Sequence, residues 1–341
     1  MDYGDFLTRS HGNGRHNGRA FEKERTRSMD NFIYSINATL PIFLMIILGK
    51  VLHRTGIING SFTKTADRYV FLIALPALVF KDLTGNHVRD HFNGGYVLFC
   101  FFVTLFIILA IWGLTELFMK KEEEKGAFIQ ASYRSSAAIL GLAFIDNMYN
   151  GAGMAPLMII GAVPLFNIFA VVILTLKGNS SGDKPDLKTT VLNVFKNPIL
   201  LSILISLPFA FLDLHFPAFI DKTIGSIGNT ATPLALISIG ASFEGRKAIR
   251  KLKPTLIASF IKLVLLSALF LPLAITLGYR NQELMAILIM LGSPATVSCY
   301  VMAKNTGNDA VLTSSIIVLT TLLSSITLTA WIFLLKSAGV L

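Results

Sequence analysis

The feature that most constrains this chain is a succession of apolar stretches, each long enough to cross a lipid bilayer. A helix needs about 20 predominantly apolar residues to span the hydrocarbon core, and such stretches occupy nearly all of the sequence beyond residue 30. Only short connections separate them, so no room remains for a soluble domain. We therefore predict an all-α polytopic membrane protein whose ten transmembrane helices, spans 1 to 10, cover residues 31–53, 66–83, 95–119, 127–149, 154–176, 197–214, 218–242, 254–278, 283–305 and 309–336.

The composition and the placement of charge agree with a membrane protein. Apolar residues make up 53% of the chain and charged residues 15%, which is more apolar and less charged than a soluble domain. In a soluble protein the net charge of +10 would suggest nucleic acid as a partner, but here the basic residues cluster in short loops beside the spans. The positive-inside rule predicts that the loops after spans 1, 3, 5, 7 and 9 are cytoplasmic and that both termini are extracytoplasmic. Nucleic acid is therefore not expected to bind.

The chain is predicted to fall into four parts. Residues 1–28 are polar, glycine-rich and basic, so we expect a disordered tail. Met29 directly precedes the first apolar stretch, which leaves open that translation begins there. Residues 29–176 and residues 197–341 hold five spans each, and the polar residues 177–196 form a cytoplasmic linker between them.

The two halves resemble copies of one another. A shift of 157 residues carries Pro41 onto Pro198, and the same shift carries Pro76 onto Pro233 in the corresponding span. Because each half has an odd number of spans, the second copy must enter the membrane from the opposite side. This pattern predicts two inverted five-helix repeats, a recurrent architecture of transporters.

Span 9 is predicted to break in its middle. Residues 292–298 read Gly-Ser-Pro-Ala-Thr-Val-Ser, and the proline removes one backbone donor and clashes with the preceding turn. In hydrocarbon each freed backbone group costs several kcal/mol unless protein, water or a ligand satisfies it. Such a break therefore belongs inside the protein, where it lines a cavity near the middle of the membrane, the place where transporters bind their substrates.

Half-helix ends at such a break favour an anion, since their unpaired N–H groups carry partial positive charge. Hydroxyl groups in spans 4 and 9 would add donors, and an asparagine precedes the proline of span 7. The predicted substrate-binding residues are Ser135, Ser136, Gly141, Asn229, Ser293, Pro294, Thr296, Ser298 and Tyr300. The alternative is that the small and hydroxylated residues only pack helices together, and that the prolines only kink them.

Ionisable residues inside the spans are costly, and each is a functional candidate. Asp146 in span 4 and Lys304 in span 9 are the predicted ion-coupling residues, since a buried carboxylate can carry a proton. Arg134 and Lys262 also lie within spans. The alternative is a charge at the membrane interface, and Lys262, two turns into span 8, is expected to extend to the cytoplasmic surface.

Four segments of the sequence resemble the auxin efflux carrier family of membrane transporters. They are LPIFLMIILGKVLHRTGII in span 1, FLIALPALVF in span 2, YRSSAAILGLAF in span 4 and GSPATVSCYVMAKNTGND in span 9. The resemblance covers residues 29–341, and the short linker is similar to that of the bacterial forms. It implies ten helices in two inverted repeats, with broken spans 4 and 9 that cross at mid-membrane, similar to bile-acid symporters and sodium/proton antiporters.

The chain departs from the family pattern in span 4. Many members have Arg-x-Asn followed by Gly-x-Pro, whereas this chain has Arg134-Ser135-Ser136 followed by Gly141-Leu142-Ala143. The first crossing segment thus lacks both the amide and the proline, which puts the family's substrate contacts in doubt for this chain.

These observations predict a secondary transporter that exports or exchanges a small organic anion, such as a carboxylate or an auxin-like acid, by alternating access in the plasma membrane. The alternatives are a proton- or sodium-coupled organic anion symporter and a non-transporting membrane sensor or receptor. An enzyme is not expected, because every histidine lies in the tail, in a loop or at the end of a span. We expect no cofactor and no metal, and the small-residue faces permit a homodimer.

Overall fold

A computed structural model describes residues 40–84, 93–137, 145, 149, 154–178, 192, 194–212, 214 and 216–341. The described chain is almost entirely helical. Its helices are α1 (40–54), α2 (Gly60–Tyr69), α3 (Leu75–Thr84), α4 (Gly94–Phe118), α5 (Glu122–Tyr133), α6 (Ala155–Lys177), α7 (Pro198–Leu212), α8 (Ala218–Asn229), α9 (Ala231–Ser242), α10 (Gly245–Arg250), α11 (Leu252–Phe260), α12 (Leu266–Thr276), α13 (Asn281–Gly292), α14 (Ser298–Asn305) and α15 (Ala310–Ser337).

Several helices begin where a short polar side chain caps the first turn. The side-chain oxygens of Asn59, Asn93 and Asp309 accept hydrogen bonds of 2.9, 3.1 and 2.9 Å from backbone N–H groups at the starts of α2, α4 and α15. Each bond satisfies one of the N–H groups that a helix start leaves without a partner. This capping explains why the helix of span 2 begins at Gly60, earlier than the predicted residue 66.

Two helical stretches contain a turn of π-helix. Val70–Ala74 connects α2 to α3, and Ile261–Leu265 connects α11 to α12. The first lies directly before Pro76, whose ring clashes with a carbonyl one turn earlier and whose nitrogen cannot donate, so a wider turn relieves the clash. The carbonyl of Pro76 accepts a 2.6 Å hydrogen bond from Ser202 of α7. The π turns widen the helices without ending them.

Within the described residues, 5 helical stretches are long and apolar enough to cross a membrane. They are Gly94–Phe118, Ala155–Lys177, Ala218–Ser242, Leu252–Thr276 and Ala310–Ser337. These stretches match predicted spans 3, 5, 7, 8 and 10 within a few residues, while α7 and α13 are shorter apolar helices. The predicted tail, linker and second half of span 4 lie largely outside the described residues, and the ten-span inverted repeat stays a prediction.

Ion pairs join four connections at one end of the helices, which we call the basic end. Lys251, before α11, lies 2.7 Å from Glu124 of α5 and 2.7 Å from Asp309, which caps α15. Lys177, at the end of α6, pairs with Glu116 at 2.5 Å. Although burial lowers the pKa of Lys251, hydrogen bonds to the two carboxylates outweigh this and raise it above its ordinary value. Loops after predicted spans 3, 5, 7 and 9 therefore meet on one side.

A second set of contacts joins the loops at the opposite end. The hydroxyl of Tyr96, near the start of α4, donates a 3.1 Å hydrogen bond to the carbonyl of Glu283. The N–H of Asn281 donates to the carbonyl of Val340, after α15, at 3.2 Å. Among the described connections, those beside the start of α4, the start of α13 and the end of α15 therefore meet at the end opposite the basic end.

Helices α1 and α9 pack backbone against backbone. A Cβ added to Gly240 would lie 1.9 Å from the carbonyl oxygen of Ile46, and one added to Gly49 would lie 2.2 Å from that of Ile237. Small residues allow this approach, which increases van der Waals contact between membrane helices. The two glycines thus lock the first described helix onto α9.

Replacing Gly240 with alanine should destabilise the protein, because a backbone carbonyl has to move to admit the methyl group. Overpacking of this kind typically costs about 1–3 kcal/mol. The measurement is the thermal midpoint in detergent. Gly113→Ala is the matched control, since a Cβ there meets nothing within 4 Å and alanine favours a helix. Equal midpoints for the two variants would contradict the close packing of α1 and α9.

Candidate functional site

Predicted span 9 is broken where the sequence predicted it. Helix α13 ends at Gly292, the backbone is extended at Ser293, and α14 begins at Ser298. Pro294 lies in the gap between the two half-helices. The side chains of α13 belong to one apolar cluster with α4, α6 and α12, whereas those of α14 belong to another with α3 and α9. The break therefore lies between the two apolar clusters of the protein.

A second break lies beside the first. Helix α5 ends at Tyr133, and the next residues are extended although no proline is present. Ser135 and Ala295 form an antiparallel bridge, and the N–H of Ser136 donates a 3.0 Å hydrogen bond to the carbonyl of Pro294. We call this pairing the crossover. The backbone groups freed by one break are satisfied by the other, as a low-dielectric surrounding requires.

Neighbouring side chains satisfy further groups at the crossover. The N–H of Ala295 donates to the hydroxyl of Thr320 in α15 at 3.2 Å, and the hydroxyl of Ser135 donates to the carbonyl of Met290. Thr320 in turn donates to Ile316 one turn earlier, at 2.7 Å. Helix α15 thereby holds the second extended segment in place through a hydroxyl that is fully buried.

Lys262 supports the end of α13. Its side chain is 0% exposed, and its ammonium donates to the carbonyl of Leu291 in the last turn of that helix. The carbonyls at a helix C-terminus are unpaired and carry partial negative charge, which a cation stabilises. The expectation that Lys262 extends to the membrane surface is therefore wrong. The prediction used only the number of residues between Lys262 and the end of the span. That number does not show that Lys262 lies in a π turn with its side chain inside the protein.

A small cavity lies against the crossover. Its volume is about 50 Å³, enough for a few water molecules. The walls come from α3, the two breaks, α6 and α9. The polar residues that line it are Asp82, Arg134, Ser135, Ser136, Asn167, Thr232, Thr296 and Ser298.

Arg134 gives this cavity a buried positive charge. The residue is 5% exposed, and its guanidinium donates to the side-chain oxygen of Asn167 and, at 2.7 Å, to the sulfur of Met302. Both partners are neutral, and Arg134 forms no ion pair with any described residue. A buried cation that forms no ion pair within the described residues, next to hydroxyl donors, has the chemistry of an anion site, although the carboxylate of Asp82 lines the same cavity.

Lys304 does not line this cavity and connects helices. Its ammonium lies 2.6 Å from a carboxylate oxygen of Asp67 in α2, and it donates to Tyr300 at 2.9 Å and to Ser242 in α9 at 3.3 Å. Asp67 is 2% exposed. The pair connects the second half of span 9 to the start of span 2. It lies on the side where the loop after span 1 is found.

The structure brings together four of the predicted substrate-binding residues on the cavity. They are Ser135, Ser136, Thr296 and Ser298, and the last two hydroxyls lie 3.3 Å apart. Pro294 contributes its carbonyl to the crossover.

The other predicted residues are placed elsewhere or not described. Ser293 and Tyr300 are buried outside the cavity lining, and Asn229 is exposed at the end of α8. Gly141 and Asp146 lie outside the described residues.

Sequence reasoning missed three polar residues of this region. Asp82 and Asn167 line the cavity, and Asp67 pairs with Lys304. The two aspartates carried a signal, since each lies inside a predicted span where a carboxylate is costly. In the described part of the chain no group of three or more His, Cys, Asp or Glu side chains is arranged to hold a metal.

Comparison with known proteins agrees with these features. A family model described as membrane transport protein matches residues 34–332. An uncharacterized transporter of Methanocaldococcus jannaschii is 23% identical over 306 residues, covering 87% of this chain and 97% of that protein. A protein of Rhizobium meliloti named as a candidate malonate transporter is 25% identical over 321 residues, covering 88% and 95%.

A more distant match is the lysosomal cholesterol signaling protein of Mus musculus, 24% identical over 255 residues, which covers 69% of this chain and 29% of that protein. The family model covers most of the chain, and this match confirms the family resemblance that the four sequence segments indicated. With its long apolar helices and its paired helix breaks, this multi-pass membrane protein belongs to the membrane transport protein family.

Proposed function

We propose that this protein is a secondary transporter that moves a small organic anion, a carboxylate or an auxin-like acid, by alternating access around the crossover. The observation that carries the proposal is the buried cation Arg134, which faces the cavity and has only neutral partners among the described residues. The planar guanidinium matches a carboxylate in a two-point, charge-assisted hydrogen bond. An anion bound here would give this guanidinium a counter-charge within hydrogen-bond distance.

Two further features favour an anion in the same place. The hydroxyls of Thr296 and Ser298 line the cavity, and α14 begins at Ser298, so its partial positive charge lies beside them. The name of the Rhizobium meliloti relative points to a dicarboxylate as a first substrate to test.

The size of the cavity requires movement. A volume of about 50 Å³ admits water and is far below the roughly 300–1,000 Å³ of a typical small-molecule site. The substrate therefore enters and leaves only when the helices around the crossover separate, first on one side and then on the other. Export or exchange across the plasma membrane, with the basic end in the cytoplasm and both termini outside, is the form of transport that we propose.

A proton- or sodium-coupled symporter is the second candidate. Asp82 favours it, since its carboxylate lines the same cavity as Arg134 and is a candidate carrier of a coupling proton. Uptake measured with and without a pH gradient, and with and without sodium, distinguishes this candidate from an exchanger.

A membrane sensor is the candidate of another class. The match to the lysosomal cholesterol signaling protein favours it, although that match covers 29% of the mouse protein. A sensor would bind its ligand without moving it. Reconstituted protein that binds an anion but accumulates none inside vesicles would replace the transporter proposal by this one.

The main test is uptake of labelled malonate, malate and indole acetate into proteoliposomes by the unmodified chain and by Arg134→Gln. A hydrogen bond to a charged group is worth about 1.5–3 kcal/mol, so the variant should raise the KM for the transported anion by roughly tenfold to a hundredfold. Arg134→Lys keeps the charge but loses the two-point geometry, and we expect an intermediate KM.

Arg280→Gln is the control for the Arg134 variants. Arg280 is exposed and also donates two hydrogen bonds, to the carbonyls of Ile275 at 2.7 Å and Tyr279 at 2.8 Å. It should leave the KM unchanged. An Arg134→Gln protein that folds and transports with an unchanged KM would show that the anion binds elsewhere.

The ion pair between Lys304 and Asp67 should keep the cavity closed at the end of α14 where the pair lies. Asp67→Asn removes the charge of a buried carboxylate, so the population open at this end should rise by about tenfold, the effect of roughly 1.4 kcal/mol. The measurement is the rate at which an impermeant thiol reagent labels Thr296→Cys, a cavity position, in a chain whose native Cys100 and Cys299 are replaced by alanine.

Asp221→Asn provides the matched control for that experiment. Asp221 also pairs with a lysine of another helix, Lys81, at 2.7 Å, but it touches neither α14 nor the cavity. Labelling should stay at the rate of the Thr296→Cys parent. If Asp67→Asn and Asp221→Asn accelerate labelling equally, the pair with Lys304 is not a gate.

A further inference from the structure

A long apolar groove shares no lining residue with the crossover cavity. It runs between α4 and the stretch formed by α11 and α12, and it has a volume of about 660 Å³, within the range of small-molecule sites. Phe128 of α5 forms part of its floor. Its walls are apolar side chains that include Phe106, Leu114, Phe118, Ile257, Leu265 and Leu269.

The groove has the depth of one bilayer leaflet. One end is closed by Phe106 and Phe270, whose ring centroids lie 6.0 Å apart in an edge-to-face contact. The other end opens beyond Phe118, where α4 ends. The thirteen residues from Phe106 to Phe118 span about 18 Å of helix, close to the roughly 15 Å of hydrocarbon in half a bilayer. An acyl chain that enters at Phe118 would reach the ring pair near the middle of the membrane.

The open end is positively charged. Lys120, Lys121, Arg250 and Lys253 line it, together with one carboxylate, that of Glu124. Glu124 is already compensated, since Lys121 lies 3.0 Å and Lys251 2.7 Å from its oxygen.

Three of these cations are not compensated. Lys120, Arg250 and Lys253 are exposed and form no ion pair with any described residue. Lys120 lies in the connection before α5, Arg250 is the last residue of α10, and Lys253 lies in the first turn of α11.

We propose that this groove is a binding site for an anionic phospholipid. One acyl chain would lie between α4 and the α11–α12 stretch, and the phosphate would contact Lys120, Arg250 and Lys253. Basic pockets between membrane helices bind acidic head groups in this way, mainly at the cytoplasmic face, where anionic lipids are concentrated. A neutral sterol would leave the three cations unused, and a second copy of the chain would bring the same positive charges face to face.

The test is native mass spectrometry of the purified chain in mixed micelles of phosphatidylglycerol and phosphatidylcholine. The unmodified protein should retain phosphatidylglycerol preferentially. Arg250→Gln combined with Lys253→Gln should reduce that preference by about fivefold for each cation removed. Ala110→Trp, which fills the groove from α4, should release the lipid without changing the charge.

Lys64→Gln combined with Arg246→Gln is the control, because it removes the same charge from exposed positions outside the groove. It should keep the preference of the unmodified protein. Equal retention of the two lipids by the unmodified chain would overturn the proposal. An equal loss of preference in the control pair would also overturn it, as would lipid retention that survives Ala110→Trp. A groove that is covered by a second copy of the chain and holds no lipid would overturn it as well.

Discussion

The pairing of two helix breaks is the constraint on which the rest of this structure depends. A membrane interior offers no water to backbone groups that leave a helix, so a single break would be costly. Here the break after α5 and the break after α13 satisfy one another through the bridge between Ser135 and Ala295 and the bond from Ser136 to Pro294. Each break supplies a backbone partner to the other, and together they place polar groups where apolar helices could not.

Two buried cations flank this pairing, and their surroundings separate their roles. Lys262 donates to the carbonyl of Leu291, so the negative end of α13 compensates its charge. Arg134 has an amide oxygen and a thioether as partners, and neither carries a charge. A buried ion without a counter-charge is strongly destabilising unless something supplies one. This difference is why we assign the anion to Arg134 and a structural role to Lys262.

The break in span 9 could be predicted because its cause is local. Pro294 removes a donor within a run of small residues, and this effect follows from the sequence of one segment. Helix positions were also predictable, since α4, α6 and α15 are marked by length and hydropathy alone. Contacts between distant parts of the chain could not be predicted. Asp67 meets Lys304 across 237 positions of the chain, and no local pattern indicates which lysine a buried aspartate will meet.

The direction of a side chain was equally hidden. Lys262 lies at the depth that the sequence implied, but the π turn at Ile261–Leu265 places it inside the protein. A π turn has no strong signature in sequence. Pro76 lies two residues after the π turn at Val70–Ala74, but no proline lies so close after the one at Ile261–Leu265. The residues lining the cavity could not be grouped from the sequence either, because Asp82 and Asn167 come from α3 and α6 and are brought to one cavity only by the fold.

The closed state of the cavity connects these interactions to transport. The cavity beside Arg134 has a volume of about 50 Å³, which has room for water and is too small for an organic anion. If the proposed anion binds here, the walls of the cavity must move to admit it, and α14 contributes Ser298 to those walls. On one side α14 is attached to Asp67 by Lys304, and at its start the crossover fixes it to the break after α5. In the mechanism that we propose, opening breaks this ion pair and leaves the backbone pairing intact, because the pairing has no replacement partner in hydrocarbon whereas the two charges can be hydrated.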